Sequence, residues 1–122
     1  MGNVAYNPTS ALTLAHTGAM IENPEMNLLL RNLMLEVMSI GRALNADPGN
    51  QIEKRMKASL ERAAFHKTSM LQDLELGRAM EILPIIGAAA ELAELVKVTT
   101  PTIDTVLALI KLRAQMTGQL PN

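Results

Sequence analysis

The sequence predicts an all-α fold, arranged as a single compact bundle of five or six helices. Apolar residues make up 48% of the chain and aromatic residues only 2%, and nine methionines accompany the leucines, alanines and isoleucines. Most of these residue types favour helices. No segment alternates between apolar and polar residues with the period of two that marks a half-buried strand. At 122 residues, the chain is long enough for one domain and short for two.

The first two predicted helices are separated by a turn. Residues 3–16 are mostly apolar and contain Pro8, which predicts a kinked or broken helix because proline removes a backbone hydrogen bond. Residues 17–22 are expected to form a turn. Asn23 is an N-cap residue followed by proline and an acid, so a helix is predicted from Pro24 to about Asn45. Its wide apolar surface indicates a central helix that is covered on more than one side.

Four further helices are predicted in the second half of the chain, after a turn at residues 47–49. They cover about residues 51–64, 68–76, 81–96 and 100–116. The first of them is charged and amphipathic and is expected to lie outermost. The second has Thr68 and Ser69 as candidate capping residues and Gly77 just past its end. Pro84 is compatible with the third because it falls in the first turn.

Composition and charge exclude several classes of function. The chain has no cysteine, so a disulfide framework, a thiolate metal site and a cysteine nucleophile are impossible. The net charge of -1 and the pI of about 6.1 give no electrostatic basis for binding nucleic acid or an anionic membrane. No secretory signal is recognisable, and the most apolar stretch, residues 82–90, is too short to cross a bilayer. A cytoplasmic protein with neither a nucleic-acid nor a membrane partner is expected.

Neither a metal site nor a phosphate-binding loop is predicted. His16 and His66 are the only histidines, and neither has a partner at ligand-like spacing. The sequence contains no glycine-rich loop of the dinucleotide or nucleoside-triphosphate kind. A small basic cluster at Lys54, Arg55 and Lys57 is flanked by glutamates, which is typical of a solvated helix face.

Four polar residues could bind a small ligand, but each also has an ordinary structural explanation. Asn3 and Asn7 would share a helix face and offer amides to an oxygen-rich ligand; alternatively, one caps the chain and the other forms a turn before Pro8. Ser69 could hold a carboxylate at a helix N-terminus or simply cap that helix. Glu81 fits a helix start, where the dipole favours a carboxylate. Residue types and spacing alone leave these alternatives open.

Five segments, in order, resemble the ketopantoate reductase family. The run H-K-T-S-M-L-Q-D-L-E at residues 66–75, followed by Gly-Arg and Glu-Ile pairs, resembles the family's S-M-L-Q-D segment. Residues 3–8 resemble its N-x-x-x-N-P helix, and the pattern R-x-x-M-x-E-V at residues 31–37 resembles its next helix. Residues 100–102 match the closing T-P motif, and Gly87 matches a helical glycine. The resemblance covers nearly the whole chain.

The resemblance implies the C-terminal helical domain of such an enzyme, a fold similar to the C-terminal domain of 6-phosphogluconate dehydrogenase. The family pairs this domain with an N-terminal Rossmann domain and transfers hydride from NADPH to 2-dehydropantoate, giving pantoate for pantothenate biosynthesis. By motif, Asn3 and Asn7 would bind the substrate's hydroxyl and carboxylate oxygens. Ser69 would hold the carboxylate, and Glu81 would be a catalytic residue beside the reacting centre.

The sequence also departs from the family's pattern. The family's catalytic lysine precedes the first of the two asparagines by four residues, a position that would fall before Met1. The Rossmann domain with its G-x-G-x-x-G turn is also absent from residues 1–122. Leu83 stands where the family usually has aspartate, and Lys97 replaces a usual glycine. Residues 1–122 are therefore expected to bind no cofactor alone, although the full-length family uses NADPH.

Two functional hypotheses follow. In the first, the chain is the substrate-binding and dimerising domain of a 2-dehydropantoate 2-reductase, which binds a small 2-keto or 2-hydroxy acid and is catalytically inert alone. In the second, it is a non-catalytic helical oligomerisation or interaction module. A homodimer is expected, because the family's helical domain commonly carries dimer contacts and a missing Rossmann domain would uncover apolar surface.

Overall fold

The computed structural model describes residues 2–46, 49 and 51–120, and these residues form an all-α domain, as predicted. Its elements are α1 (Gly2–Thr13), α2 (Thr17–Glu22), α3 (Pro24–Ala43), α4 (Ile52–Ala63), α5 (Ser69–Leu76), a π-helical turn (Leu83–Gly87), α6 (Ala88–Leu95) and α7 (Pro101–Met116). Seven α-helices are thus present in the described residues, one more than the upper number expected. Asp47 and Pro48 of the predicted turn lie outside the described residues.

Helix α1 lies at the centre of the domain. It packs against α2, α3, α5, α7 and the π turn, and every residue from Asn7 to Ala11 is buried. The helix is continuous through Pro8, so it is not broken there. The segment is rich in residues that favour helices only weakly. Packing against the surrounding helices, rather than intrinsic propensity, therefore accounts for its helical form.

The core is built from long, flexible or branched aliphatic side chains, with methionine as a major component. The largest fully buried side chains are Met20, Leu30, Leu33, Met34, Met38, Met70, Leu71, Met80, Ile82, Ile86, Ile103 and Ile110. Methionine fills irregular spaces between helices because it is unbranched and has several rotatable bonds. The methionines at helical spacing are thus core residues in this domain.

Residues Thr17–Glu22 form a short helix, so the turn predicted for them is wrong. The Gly18 N–H donates to the Ala64 carbonyl at 2.8 Å, and the Thr17 N–H donates to the His66 carbonyl at 3.3 Å. A Cβ added to Gly18 would lie only 2.7 Å from the same Ala64 oxygen, so α2 can approach the end of α4 this closely only with glycine. Six residues are too few to display a helical period in the sequence.

Helix α3 begins as predicted and packs against several neighbours. The Asn23 side-chain oxygen accepts a hydrogen bond from the Met26 N–H at 3.0 Å, and Pro24 is the first helical residue. The helix contacts α1, α2, α6 and α7, which confirms that it is covered on more than one side. It ends at Ala43, and Asn45 then takes a left-handed conformation with φ of 57°.

The helix predicted over residues 81–96 is divided into the π turn and α6. Pro84 has no N–H to donate, and the Gly87 N–H donates to the Ile82 carbonyl, five residues earlier, at 3.0 Å. Helical structure consequently begins at Leu83, two residues later than predicted. Glu81 lies before it, in an exposed position.

Helix α7 receives its N-terminal cap from α3. Thr100 precedes the helix but makes no side-chain cap hydrogen bond. The Glu36 carboxylate instead accepts hydrogen bonds from the Thr102 N–H at 2.9 Å and the Ile103 N–H at 2.8 Å. The first N–H groups of a helix have no partner within it, and they favour a negative charge. Glu36 therefore connects two of the motifs recognised in the sequence.

Lys97 ends α6 in a left-handed backbone conformation. Its φ is 60°, close to the 72° of Gly77 after α5. The Val98 N–H donates to the Ala93 carbonyl at 2.9 Å, and the Lys97 N–H donates to the Glu94 carbonyl at 3.2 Å. These two bonds form a Schellman motif, in which glycine is the usual residue at the left-handed position. The helix end therefore keeps its usual geometry with Lys97, although the left-handed backbone conformation is strained for a residue that has a side chain.

The substitution Lys97→Gly is expected to raise the free energy of unfolding by about 0.5–1 kcal/mol, because relief of left-handed strain exceeds the entropy that glycine adds to the unfolded chain. Lys97 is exposed, so few contacts are lost with its side chain. Urea denaturation followed by circular dichroism measures the change. The reverse substitution Gly77→Lys should be destabilising. A less stable Lys97→Gly variant would contradict the strain argument.

Candidate functional site

A cleft of about 400 Å³ lies between α1, α4 and the start of α5. It is lined by Gly2, Asn3, Tyr6, Asn7, Thr17, Ser59, Ala63, His66, Thr68 and Ser69. Three of the four residues singled out in the sequence, Asn3, Asn7 and Ser69, are therefore brought together at one place. Two of them come from α1 and the third from the first turn of α5.

Asn3 and Asn7 lie within α1, four residues apart, and both line the cleft. Neither occupies a turn, so the alternative explanation that Asn7 forms a turn before Pro8 is wrong. Asn7 is only 6% exposed. None of the hydrogen bonds among the described residues uses either amide side chain. The Asn7 amide is not among the described polar atoms that are both fully buried and unpaired, so it keeps contact with the cleft and is available to a ligand there.

Thr68, rather than Ser69, caps α5. The Thr68 hydroxyl accepts a hydrogen bond from the Leu71 N–H at 3.2 Å and is also hydrogen-bonded to the Ser10 hydroxyl of α1 at 2.5 Å. Ser69 is the first residue of the helix and is exposed, so its hydroxyl is available to the cleft. The backbone N–H groups of this first turn add to the attraction for an anion.

Glu81 does not join the other three residues. It is exposed, lies between α5 and the π turn, and is not among the residues that line the cleft. The reason is the late start of helical structure at Leu83, which leaves Glu81 in an irregular segment. Within the described residues, the structure thus separates the acid from the amide and hydroxyl groups.

Besides Gly2 and Ala63, four cleft residues with polar side chains were not identified as candidate site or capping residues from the sequence: Tyr6, Thr17, Ser59 and His66. Tyr6 could have been found, because it lies between Asn3 and Asn7 in the N-x-x-x-N-P segment. Burial raises the pKa of the Tyr6 phenol, while the Ser59 hydroxyl and the Arg55 guanidinium on α4 lower it in part. The positions on α4 carry no local signal, because only the folded chain brings them to α1.

Helix α4 forms one wall of the cleft and is attached to α3 by a surface ion pair. Arg31, the first residue of the R-x-x-M-x-E-V motif, donates a hydrogen bond to the Glu53 carboxylate and another to the Asn27 side chain at 2.6 Å. The hydrogen bond from Arg31 lowers the pKa of Glu53. Exposed ion pairs contribute little to stability. The pair is therefore best understood as orienting α4.

The cleft is lined by hydrogen-bonding side chains. The described residues of its lining contribute amides, hydroxyls and one imidazole, and none of them is an aspartate, glutamate, lysine or arginine. Such groups donate to and accept from carboxylate, carbonyl and hydroxyl oxygens. The cleft can therefore bind and orient a small oxygen-rich ligand.

The model of the family described as "Ketopantoate reductase PanE/ApbA C terminal" matches residues 1–114. The chain belongs to the ketopantoate reductase family. It represents the C-terminal domain, as the order of the five motifs implied.

Individual relatives agree with this assignment. A 2-dehydropantoate 2-reductase from Mesorhizobium japonicum is 44% identical over 110 residues, which are 90% of this chain and 33% of that protein. The crystal structure of 2-dehydropantoate 2-reductase from Methylococcus capsulatus matches 94% of this chain and 40% of its own, with 31% identity and a TM-score of 0.87. A dimeric ketopantoate reductase from Staphylococcus aureus shares the fold, with a TM-score of 0.84 and 24% identity over 95% of this chain and 41% of its own. The chain spans about a third of the length of the curated relatives it matches.

The described residues of this ketopantoate reductase domain contain no glycine-rich dinucleotide-binding turn. A dinucleotide site is built on a glycine-rich turn between a strand and a helix. The described residues contain no strand, and the cleft is formed by helices without such a turn. The amides and hydroxyls of the cleft therefore do not form a site of that kind.

Two further searches concern metals and membranes. In residues 2–46, 49 and 51–120, no group of three or more histidine, aspartate and glutamate side chains is placed to hold a metal ion. Over the same ranges, no helix is both long and apolar enough to cross a membrane.

Proposed function

We propose that the cleft is the substrate half-site of an NADPH-dependent 2-dehydropantoate 2-reductase and binds a small 2-keto or 2-hydroxy acid of the ketopantoate type. The observation that carries the proposal is the convergence of Asn3, Asn7 and Ser69, which have polar side chains unused by the fold, in one cleft. Amides and a hydroxyl at a helix N-terminus suit a carboxylate with a neighbouring hydroxyl or keto oxygen.

In this proposal the carboxylate is bound at the first turn of α5. Ser69 donates its hydroxyl there, and the helix dipole favours the negative charge. Asn3 and Asn7 then bind the remaining carboxylate, hydroxyl or keto oxygens from the α1 side. Glu81, which is exposed on the described surface, would act at the reacting centre only once a nucleotide-binding domain completes the site.

The substitution Asn7→Ala is expected to weaken pantoate binding by roughly 10-fold, since it removes hydrogen bonds to a charged or polar ligand. Amide-correlation NMR of the labelled chain, titrated with pantoate, measures the affinity and locates the shifts. In the unaltered chain they should cluster at Asn3, Asn7 and Ser69. The matched control is Asn32→Ala, an exposed asparagine on α3 that does not line the cleft. Pantoate that shifts no cleft amide would refute the proposal.

The same proposal assigns substrate binding without catalysis to the 122-residue polypeptide. The family's proton-donating lysine has no counterpart within these residues, and no dinucleotide site is present among those described. Purified residues 1–122 are therefore expected to bind pantoate but not to oxidise NADPH with ketopantoate. Measurable NADPH oxidation that survives further purification would contradict the prediction that residues 1–122 bind substrate without catalysis.

A second candidate function, self-association, has its own structural support. Leu109, Leu112 and Met116 on α7 are more than half exposed and border a shallow apolar groove with Leu12. Clustered apolar side chains of this kind favour protein contacts. We expect a homodimer that dissociates when Leu112 is replaced by glutamate. Sedimentation velocity over a wide concentration range tests this, and a monomer at every concentration would rule it out.

A further inference from the structure

Gln119 lies just past the end of α7 and is buried, with only 4% of its surface exposed. Its side-chain amide donates hydrogen bonds to the Asp73 carbonyl at 2.8 Å and to the Arg78 carbonyl at 2.5 Å. Its own backbone carbonyl accepts a hydrogen bond from the Met80 N–H at 2.9 Å. Gln119 therefore connects three segments: the end of α7, the end of α5 and the irregular stretch that follows α5.

Two helix ends of the same type meet at Gln119. After α7, Gly118 takes a left-handed conformation with φ of 70°, and the Gln119 N–H donates to the Ala114 carbonyl at 2.7 Å. After α5, the Arg78 N–H donates to the Asp73 carbonyl at 2.8 Å, across a second left-handed glycine. Helix ends of this Schellman type reverse the chain sharply. The reversal after α7 brings the Gln119 side chain to the carbonyl that already closes α5.

The stretch that Gln119 holds carries Glu81. Met80 and Ile82, the residues on either side of Glu81, are fully buried, whereas Glu81 itself is exposed. The Ile82 N–H donates to the Met80 carbonyl at 2.9 Å, which closes a three-residue γ-turn with Glu81 at its centre. Gln119 accepts the Met80 N–H at the base of this turn. The backbone that presents the Glu81 carboxylate is therefore fixed from the end of α7.

We propose that Gln119 is the positioning residue of Glu81 and holds this acid in a fixed place relative to α5. The inference rests on the proposed function, in which Ser69 at the start of α5 and Glu81 serve the same substrate. Asp73 and Arg78 lie between these two residues in the chain, and the Gln119 amide bonds the carbonyls of both. Both partners are acceptors, so only a side chain with N–H or O–H donors can take this part. Fixed placement of a reacting group relative to bound substrate is a large source of rate enhancement.

The first test measures amide hydrogen exchange by NMR in the Gln119→Leu variant of the labelled chain. Leucine fills a similar volume but removes both side-chain donors, so the Met80 and Ile82 amides should exchange roughly 10-fold faster relative to the amides of α1. The α1 amides serve as the internal reference because they report global opening. Gln115→Leu is the matched control, since Gln115 is an exposed glutamine on α7. It should leave the ratio of the two sets of rates unchanged.

The second test, Gln119→Glu, separates hydrogen bonding from packing. The new carboxyl group donates a hydrogen bond when it is protonated and none when it is ionised. At low pH this variant should therefore match the unaltered chain in the exchange and backbone order of residues 80–82, while Gln119→Leu stays mobile there. As the pH rises, the order of these residues should be lost. The unaltered chain, measured at each pH, accounts for the titration of the other acids.

Unchanged exchange of Met80 and Ile82 in Gln119→Leu would overturn the inference, because the γ-turn would then hold Glu81 unaided. Equal acceleration of the α1 amides would also overturn it, since only global stability would have changed. If Gln119→Leu unfolds, the pH dependence of Gln119→Glu decides, and its absence counts against the inference.

A pantoate titration distinguishes this inference from the proposed function. Gln119 does not line the cleft, so Gln119→Leu should bind pantoate as the unaltered chain does. If the unaltered chain binds no pantoate, the proposed function fails, while the exchange rates still decide whether Gln119 orders the segment of Glu81. If pantoate binds and the exchange rates do not change, only the positioning role of Gln119 fails.

Discussion

Glu36→Ala is expected to lower the free energy of unfolding by about 2–4 kcal/mol. The carboxylate accepts two backbone hydrogen bonds at the start of α7, at 2.9 and 2.8 Å, and no side chain of the α7 cap residue replaces it. Its loss leaves two N–H groups unpaired at the positive end of a 16-residue helix. Urea denaturation of the purified variant, monitored by circular dichroism, measures the change in the free energy of unfolding.

Two variants separate the cap from a general effect of removing a charge. Glu36→Gln keeps one acceptor oxygen without the negative charge and should lose about half as much stability. Glu25→Ala removes an exposed glutamate from the first turn of α3, the helix that also carries Glu36, and should change the free energy of unfolding only slightly. If Glu36→Ala and Glu25→Ala are equally destabilising, the bridging cap from α3 to α7 contributes nothing beyond surface electrostatics.

Gly18→Ala is expected to destabilise the domain by about 1–3 kcal/mol. The added Cβ would lie 2.7 Å from the Ala64 carbonyl oxygen and 2.9 Å from the Ala64 Cβ, so α2 and the end of α4 must separate. The same movement would stretch the hydrogen bond from the Gly18 N–H. Thr17 and His66 line the cleft beside this contact, so ligand affinity should fall along with the unfolding midpoint.

Gly2→Ala provides the matched glycine control for the stability measurement. Gly2 is also helical, but a Cβ there meets only the Tyr6 ring at 3.7 and 3.8 Å, which is ordinary contact. Because alanine favours helices more than glycine, this variant should be at least as stable as the unaltered chain. A Gly18→Ala variant as stable as Gly2→Ala would show that the contact between α2 and α4 relaxes without cost.

The features predicted correctly from sequence are those that a few neighbouring residues determine. Asn23 with the proline after it defines the start of α3, and Gly77 defines the end of α5. Helix α2 was missed because its backbone is stabilised by Ala64 and His66, more than forty residues away. The π turn was missed because Pro84 has no N–H to donate, and the sequence alone does not show that the Gly87 N–H bonds to the Ile82 carbonyl five residues earlier.

The site shows the same division between local and long-range information. The four-residue spacing of Asn3 and Asn7 predicts from sequence that they share one face of a helix. Thr68 and Ser69 are adjacent hydroxyl residues, and only the contact between Thr68 and Ser10 of α1 decides which of them caps the helix. Ser59 reaches the cleft through the packing of α4, for which no short motif exists.

The central position of α1 makes ligand recognition and global stability inseparable. Its cleft residues belong to the same helix that packs against α2, α3, α5, α7 and the π turn. Its backbone amides should therefore exchange with solvent deuterium only when the whole domain opens. A ligand that binds the native cleft at 100 times its Kd would stabilise that global equilibrium by about 2.7 kcal/mol. Protection of the α1 amides would thus report occupancy of the cleft, and thermal shifts measured with a series of small acids would rank the ligands that it binds.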